Sequence, residues 1–441
     1  MFDSDDIVDK IISENIAKRI WVAFSGGIDS HVLLHLLATA KNSELTSIHA
    51  IHIDHGLNPD SNYWAQHCAD VADDLNVDFK CVKVDVKNIE TLGMEAAART
   101  ARYQALQQGM TADDVVLTAQ HQHDQAETLL LQLLRGAGPK GLSAMTRRFQ
   151  LGETNVVRPL LNISQADILD YAHHHKLKWI DDPSNVETRW NRNYIRHNVW
   201  PVIEQRWPSA SKTLSRSAEH CAEASELLAE LAQQDLALLN VDFETNSLPI
   251  SQLLTLSLSR CRNLLRHFIV GKQLPLPSTS CLQRVIDEVC LAKPDSMPIV
   301  SWQDVEVRRY QDQLYFMSPL AKHDVNQVIS CDGVEDVSLE SDHIVNWKKT
   351  VDQGIKQQLI ETGLTIRFRQ GGERIKPQGQ SHHKSLKHLF QQWAIPPWQR
   401  DRIPLVFCGD KLVAVVGYCI SEAAIVSKGQ QGYLPTLKNG K

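Results

Sequence analysis

Between residues 20 and 135 the chain alternates short β-branched apolar runs with amphipathic helical stretches, and this alternation constrains the fold more than any other feature. Strands are expected at 20–24, 47–53, 79–86 and 115–119, with helices beginning near Asp29, Tyr63, Met94 and His123. Regular strand and helix alternation predicts an α/β fold, a parallel sheet wrapped by helices. Ligands of such folds sit at the carboxyl ends of the strands.

The first strand runs directly into SGGIDS, residues 25–30, and the next helix starts at once. Backbone amides and the positive helix end therefore face outward together, which makes an anion site. Gly26 and Gly27 permit close backbone approach, and Ser25 and Ser30 add hydroxyl donors. This is not a Walker A loop, because no lysine follows and an aspartate lies inside it. An aspartate repels phosphates unless a divalent cation lies between them, so Asp29 is expected to help place Mg²⁺.

Two more polar clusters fall at the same predicted edge. IHIDHGLNPDS puts Asp54 and His55 at the end of the second strand, and TAQHQHDQAET puts His121, Asp124 and Glu127 after the fourth. Asp124 and Glu127, three apart, share a helix face. Isolated residues of these types usually cap helices or face solvent; three clusters converging on one edge call for a ligand.

At 441 residues the chain is too long for one ordinary core. The expected domains are 1–210, carrying the glycine-rich loop, a mainly helical 211–320, a polar connecting region at 321–362, and a carboxyl-terminal domain at 363–441. A hydrophobic content of 43% without a long apolar tract excludes a membrane span, and the acidic start MFDSDDIVDK is unlike a secretory signal, so cytoplasm is the expected compartment. Nine scattered cysteines with no C-x-x-C pair argue against a disulfide framework, a zinc ribbon and an iron–sulfur cluster. The net charge of −6 hides two basic stretches, 189–216 and 366–402. Both also contain tryptophans (190, 200, 207, 393 and 398), which can stack on unpaired bases. Such segments suit a long nucleic acid touched at separated points.

SGGIDS resembles the pyrophosphate-binding loop of the N-type ATP pyrophosphatases, the PP-loop superfamily. Together with IHIDHGLNPDS, MEAAARTARYQAL, TAQHQHDQAETLLLQLLRGAGPKGLSAM, VVRPLLNIS and WIDDPSNVETRWNRNYIRHNVW, and with RFRQGGERIKPQGQSHHKSLKHLFQQW near the end, it is similar to the tRNA(Ile)-lysidine synthetase family. That resemblance implies ATP-dependent adenylation of the C2 carbonyl oxygen of the wobble cytidine in a CAU-anticodon tRNA(Ile). The side-chain amine of L-lysine then displaces AMP.

It also implies ATP contacts at Ser25, Gly26, Gly27, Ile28, Asp29 and Ser30, with Mg²⁺ at Asp29. Asp29, Asp124, Glu127 and Arg196 form the catalytic group. Asp124 and Glu127 hold either lysine or the metal, a choice the sequence leaves open. Arg135, Arg192 and Arg196 can meet phosphate or nucleotide, and a structural ion pair is an equal reading of each. Arg192, Arg196, Arg369, Arg374, Lys384 and Lys387 are the expected tRNA contacts. His55 and His121 are candidates for the base that deprotonates lysine. No membrane is expected as a partner, and a homodimer is compatible with the reading.

One position departs from the family, where H-x-D-D-Q is usual: here the first acid is His123. An imidazole keeps a ligand nitrogen but removes one negative charge. His173, His174 and His175 are expected at the surface, because adjacent positions do not share a helix face. The competing readings are another PP-loop tRNA-modifying enzyme and a tRNA-binding protein without catalysis. A thiolating enzyme commonly needs paired cysteines, which this chain lacks.

Overall fold

The computed structural model describes residues 4–14, 19–40, 47–87, 90, 93–241, 243–293, 296–331, 333–339 and 343–439. The chain divides into two units, residues 1–231 and 232–441.

In the first unit a helix, α1 (Ser4–Glu14), precedes the predicted alternation. Four parallel strands then follow in order, β1 (Arg19–Ala23), β2 (Ile48–Asp54), β3 (Asp78–Lys83) and β4 (Asp114–Leu117). Between them run α2 (Ile28–Ala38), α3 (Ser61–Asp74) and α4 (Met94–Gly109), and α5 (Gln122–Leu134) follows β4. A hairpin of β5 (Arg148–Leu151) and β6 (Thr154–Val157) completes a six-stranded sheet of order β3-β2-β1-β4-β6-β5. Only the β5–β6 pair is antiparallel.

The chain builds outward from β1 in one direction, through β2 and β3, and then resumes on the other side at β4. The strand order therefore reverses between β1 and β4, the position where such sheets open a crevice for ligands. Val22, Phe24, Leu33, Leu34 and Leu37 pack in the core on one face of the sheet; Ile51, Leu106, Val116 and Val156 pack on the other. Beyond the sheet lie α6 (Gln165–His174), α7 (Asn191–Tyr194), a π-helical turn at Ile195–Val199, α8 (Trp200–Arg206) and the start of α9 (Ala210–Leu238).

The second unit begins with a helical core around Leu264, Leu265 and Phe268, covered by an antiparallel sheet of Ser247–Pro249, Gln313–Met317, Val305–Tyr310 and Ile299–Trp302. Its last part holds a five-stranded and a four-stranded antiparallel sheet. Residues 321–362, expected to be a connecting region, are built into both. Val328–Cys331 pairs with Leu364–Arg367, and His343–Val351 pairs along its whole length with Gln431–Asn439. The physical reason is register at long range: each strand finds its partner far along the chain, so local polarity carries no trace of it. No described helix is long and apolar enough to cross a membrane.

Candidate functional site

The glycine-rich loop bridges β1 and α2 at the switch point. Gly26 has φ +83°, a left-handed conformation in which a side chain is strained. A Cβ there would lie 3.0 Å from Cys68 Sγ and 3.1 Å from Ile180 Cδ1, so the position is closed to larger residues for two independent reasons. The loop is tied internally: the Ser25 amide donates to Ser30 Oγ at 3.2 Å, and Ser30 Oγ donates to the Gly27 carbonyl at 3.0 Å. No side chain caps α2, whose N-cap is Gly27. Its first turn is free to meet an anion. His52 supports the loop from β2, its Nδ1 2.9 Å from the Phe24 carbonyl.

Opposite the loop, after β4, α5 opens with a reciprocal cap. His121 Nδ1 accepts the His123 amide at 3.2 Å, and the His121 amide donates to Asp124 Oδ2 at 3.1 Å. His121 Nε2 lies 3.6 Å from Asp29 Oδ1 and 3.5 Å from Asp124 Oδ2, so the two predicted clusters meet across this imidazole. Burial pushes the Asp29 carboxyl above its usual range, and the Asp124 charge adds to this against His121 and Arg196.

Glu127 is 0% exposed. Arg196 Nε donates to its Oε1 at 2.6 Å and Nη2 to its Oε2 at 2.9 Å, while Arg192 Nε donates to Oε2 at 2.8 Å. Both guanidinium groups also reach Asp124 Oδ1, at 3.0 Å from Arg192 and 3.2 Å from Arg196. Four apart, the two arginines point the same way, Arg192 from α7 and Arg196 from within the π turn that continues it. Burial alone would raise the Glu127 carboxyl; hydrogen bonds from His123 and Arg196, with both arginine charges, hold it at about 2 instead. Glu127 is thus occupied by arginine on both oxygens, and Arg192 and Arg196 belong to the crevice instead of a basic surface. His123 is buried, its Nε2 3.4 Å from Glu127 Oε1 and its ring edge-on to Trp200 at 4.5 Å.

His55 stands at the end of β2 with both ring nitrogens buried and unpartnered, and burial, with Arg102 and His52, lowers it to about 4. Arg135 is the exposed C-cap residue of α5 and lies outside this network. His173, His174 and His175 are exposed, and the His175 ring packs on Tyr171 and His35.

Sequence reasoning missed three arginines. Arg158, 4% exposed, follows β6 and donates from Nε to Gln120 Oε1 at 3.1 Å and from Nη1 to the Thr146 carbonyl at 2.5 Å. Its guanidinium lies 4.6 Å over Phe149, and it makes no ion pair with a described carboxylate. Arg99 and Arg102 stand on the first turns of α4, which start at the carboxyl edge of the sheet, and they too lack a described carboxylate partner. Of the three only Arg158 is buried, and a buried cation without a counter-ion is costly; Arg99 and Arg102 are exposed. The available signal was the arginine inside the apolar VVRPLL, directly after a strand.

Among the described residues, no group of three or more His, Cys, Asp or Glu side chains can hold a metal ion by itself. One partly exposed carboxylate, Asp29, with Asp124 behind His121, nevertheless fits Mg²⁺, which takes one or two protein carboxylates and fills its shell with water and phosphate oxygens.

A PP-loop domain family matches residues 3–203, a TilS substrate binding domain matches 248–315 and a TilS substrate C-terminal domain matches 364–436. The tRNA(Ile)-lysidine synthase of Coxiella burnetii is 44% identical over 93% of this chain and 91% of its own length. The chain belongs to the tRNA(Ile)-lysidine synthase family. Others so named are those of Methylococcus capsulatus, 40% identical over 90% of both chains, and Yersinia pseudotuberculosis, 37% identical over 94% of both. Solved structures similar to it include a crystal structure of the TilS C-terminal domain (20% identity, TM-score 0.23, covering 26% of this chain and 98% of that one). Another is the U34-tRNA thiolase NcsA of Methanococcus maripaludis (15% identity, TM-score 0.42, covering 50% and 80%).

In the second unit of this lysidine synthase family member, the residues expected on tRNA are divided in use. Arg369 pairs with Asp401 at 3.0 Å, and Arg374 Nη2 donates to the His383 carbonyl at 3.4 Å. Lys384 is half-buried and Lys387 exposed. Two tryptophans expected to stack on bases are consumed by packing. Trp200 is buried, and the half-buried Trp398 packs against Tyr315 at 5.5 Å, Tyr310 at 6.3 Å and the Arg308 guanidinium at 5.5 Å.

Proposed function

We propose that this chain is an ATP-dependent carbon–nitrogen ligase that makes lysidine at the wobble cytidine of a CAU-anticodon tRNA(Ile), releasing AMP and pyrophosphate. The observation that carries the reading is the meeting of the SGGIDS loop with Asp124, Glu127, Arg192 and Arg196 at the switch point, in a chain up to 44% identical to curated lysidine synthases over 93% of its length.

A carbonyl oxygen is a poor leaving group, and adenylation makes it a good one. Ser25, Gly26, Gly27, Ile28, Asp29 and Ser30 cradle the ATP phosphates, and the loop amides meet the charge that develops on departing pyrophosphate. Mg²⁺, held at Asp29, would neutralise the phosphates. Arg192 and Arg196, fixed by Glu127, turn their remaining donors toward the adenylated cytidine, so Glu127 acts as their positioning residue. Asp124 receives the lysine ammonium on the oxygen nearer His121. His121 is the candidate for taking the proton from the amine, since His55, lowered to about 4, is a weak acceptor at neutral pH. Residues 1–210 are the catalytic domain in this reading; 211–320 and 363–441 bind tRNA, in support of which the two substrate-domain families match within them.

The test is incubation with ATP, Mg²⁺, radiolabelled L-lysine and the tRNA(Ile) transcript. Label is expected in RNA only with ATP present, and not when the wobble cytidine is replaced by uridine. ATP-independent label, or none with tRNA still bound, would sink the proposal.

A further inference from the structure

Within the C-terminal domain, Trp393 and Tyr418 are stacked, with ring centroids 5.1 Å apart and planes 22° from parallel. Trp393 ends the helix Leu386–Gln392 as its C-cap, and its inner side is backed by the fully buried Phe390, 6.1 Å away. Tyr418 stands on the tight turn after the strand Lys411–Val415, beside Gly417 with φ +80°, and is 46% exposed. Trp393 and Tyr418 form a stacked pair with the core ring of Phe390 tilted 52° beneath Trp393, and Tyr418 is the exposed member. Aromatic faces held rigidly in this way lose little entropy when a further flat ring is added.

The helix side of the pair is cationic in sequence, while on the Tyr418 side Glu422 is engaged by the Gly379 amide at 2.7 Å. Lys384 Nζ donates to Gln392 Oε1 at 3.4 Å, on the residue that precedes Trp393. Lys387 and His388 stand exposed on the same helix, and between Arg374 and Trp393 there is no Asp or Glu. A planar, apolar stack with one exposed member and ammonium groups on its helix side matches an unpaired nucleobase with its 5′ and 3′ phosphates. Paired bases are already stacked on both faces, so a duplex offers no ring to it.

We propose that Trp393 and Tyr418 form a stacking platform for one unpaired nucleobase of the tRNA, with Lys384 and Lys387 on its flanking phosphates. This rests on the lysidine-synthase reading, since it takes tRNA as the substrate. The base comes either from the single-stranded 3′ end or from a loop, and truncation separates the two.

The experiment measures lysine incorporation and tRNA binding for the wild type, Tyr418→Ala and Tyr418→Phe, on full-length tRNA and on a transcript lacking its unpaired 3′ nucleotides. Tyr418→Ala is expected to raise KM and Kd for full-length tRNA about tenfold, the loss of one base–aromatic stack, with kcat and the KM for ATP unchanged. Tyr418→Phe keeps the ring and stays within about twofold of wild type. A penalty that vanishes on the truncated transcript assigns the base to the 3′ end; one that persists assigns it to a loop. Equal KM and Kd for Tyr418→Ala and wild type, or an equal loss in Tyr418→Phe, overturns the platform. Wild-type protein that binds tRNA without incorporating lysine would count against the proposed reaction alone, because Kd still reports on the platform.

Discussion

The crevice of the first unit and the basic face of the C-terminal domain use the same residue types in opposite ways. In the crevice, Arg192 and Arg196 are held against Glu127, which has no exposure at all, and both also reach Asp124. On the C-terminal domain, Lys387 stands in solvent and Arg369 keeps its ion pair with a half-exposed Asp401. Buried pairs are strong, rigid and insensitive to salt, and removing one partner strands the other. Exposed charges are screened and replaceable. The first arrangement suits chemistry that needs fixed dipoles, the second suits recognition of a long polyanion.

Substitutions should therefore separate the regions. The largest effect belongs to Asp29→Ala, expected to lower AMP formation by about a hundredfold or more while tRNA binding stays near wild type; equal activity by pyrophosphate release would remove the loop aspartate from the reaction. Glu127→Gln should come next, destabilising the fold by about 3–5 kcal/mol in urea titrations, since two guanidinium groups lose their buried counter-ion. Its folded carboxyl is held at about 2 against an ordinary 4.5, so its contribution is complete above pH 4.5 and is lost as the pH falls toward 2. Stability of the variant should lack that acid-side decline; the same decline in both proteins would contradict the ion network.

Reversing charge at Arg369 and Arg374 should raise the KM for tRNA about tenfold, leave that for ATP unchanged, and flatten the salt dependence of binding. An unchanged salt slope would take these residues off the RNA. The smallest effect is expected for His123→Asp. It restores the usual family acid but loses both the contact of His123 Nε2 with Glu127 and the edge contact with Trp200, costing about 1–3 kcal/mol of stability, with lysine incorporation within about threefold of wild type. A large gain in activity would instead identify His123 as the group that limits this enzyme.

Much of the first unit was legible in the chain. The four strands and their helices start within a few residues of the expected positions, because apolar period and glycine placement are local signals. The SGGIDS loop was legible for the same reason. The β5–β6 hairpin was not, since RFQL and TNVV lack the continuous apolar run that marks β4, a strand of the same length. Nor were the strands within 321–362, whose partners lie at 364–367 and 431–439. Tryptophan alone also misled: Trp200 and Trp398 read as base-stacking candidates, yet one fills a core and the other packs half-buried against Tyr310, Tyr315 and Arg308.

By itself the sequence determined the α/β class, the glycine-rich loop between the first strand and helix, the order of the motifs and hence the family, all properties of residues near one another in the chain. The tertiary structure alone decided who partners whom. Glu127 was a lysine or metal ligand by its motif, and it became the anchor of two arginines 65 and 69 residues away because burial removes water as an alternative partner. Which charges are desolvated depends on packing of the whole chain, and no local pattern encodes it.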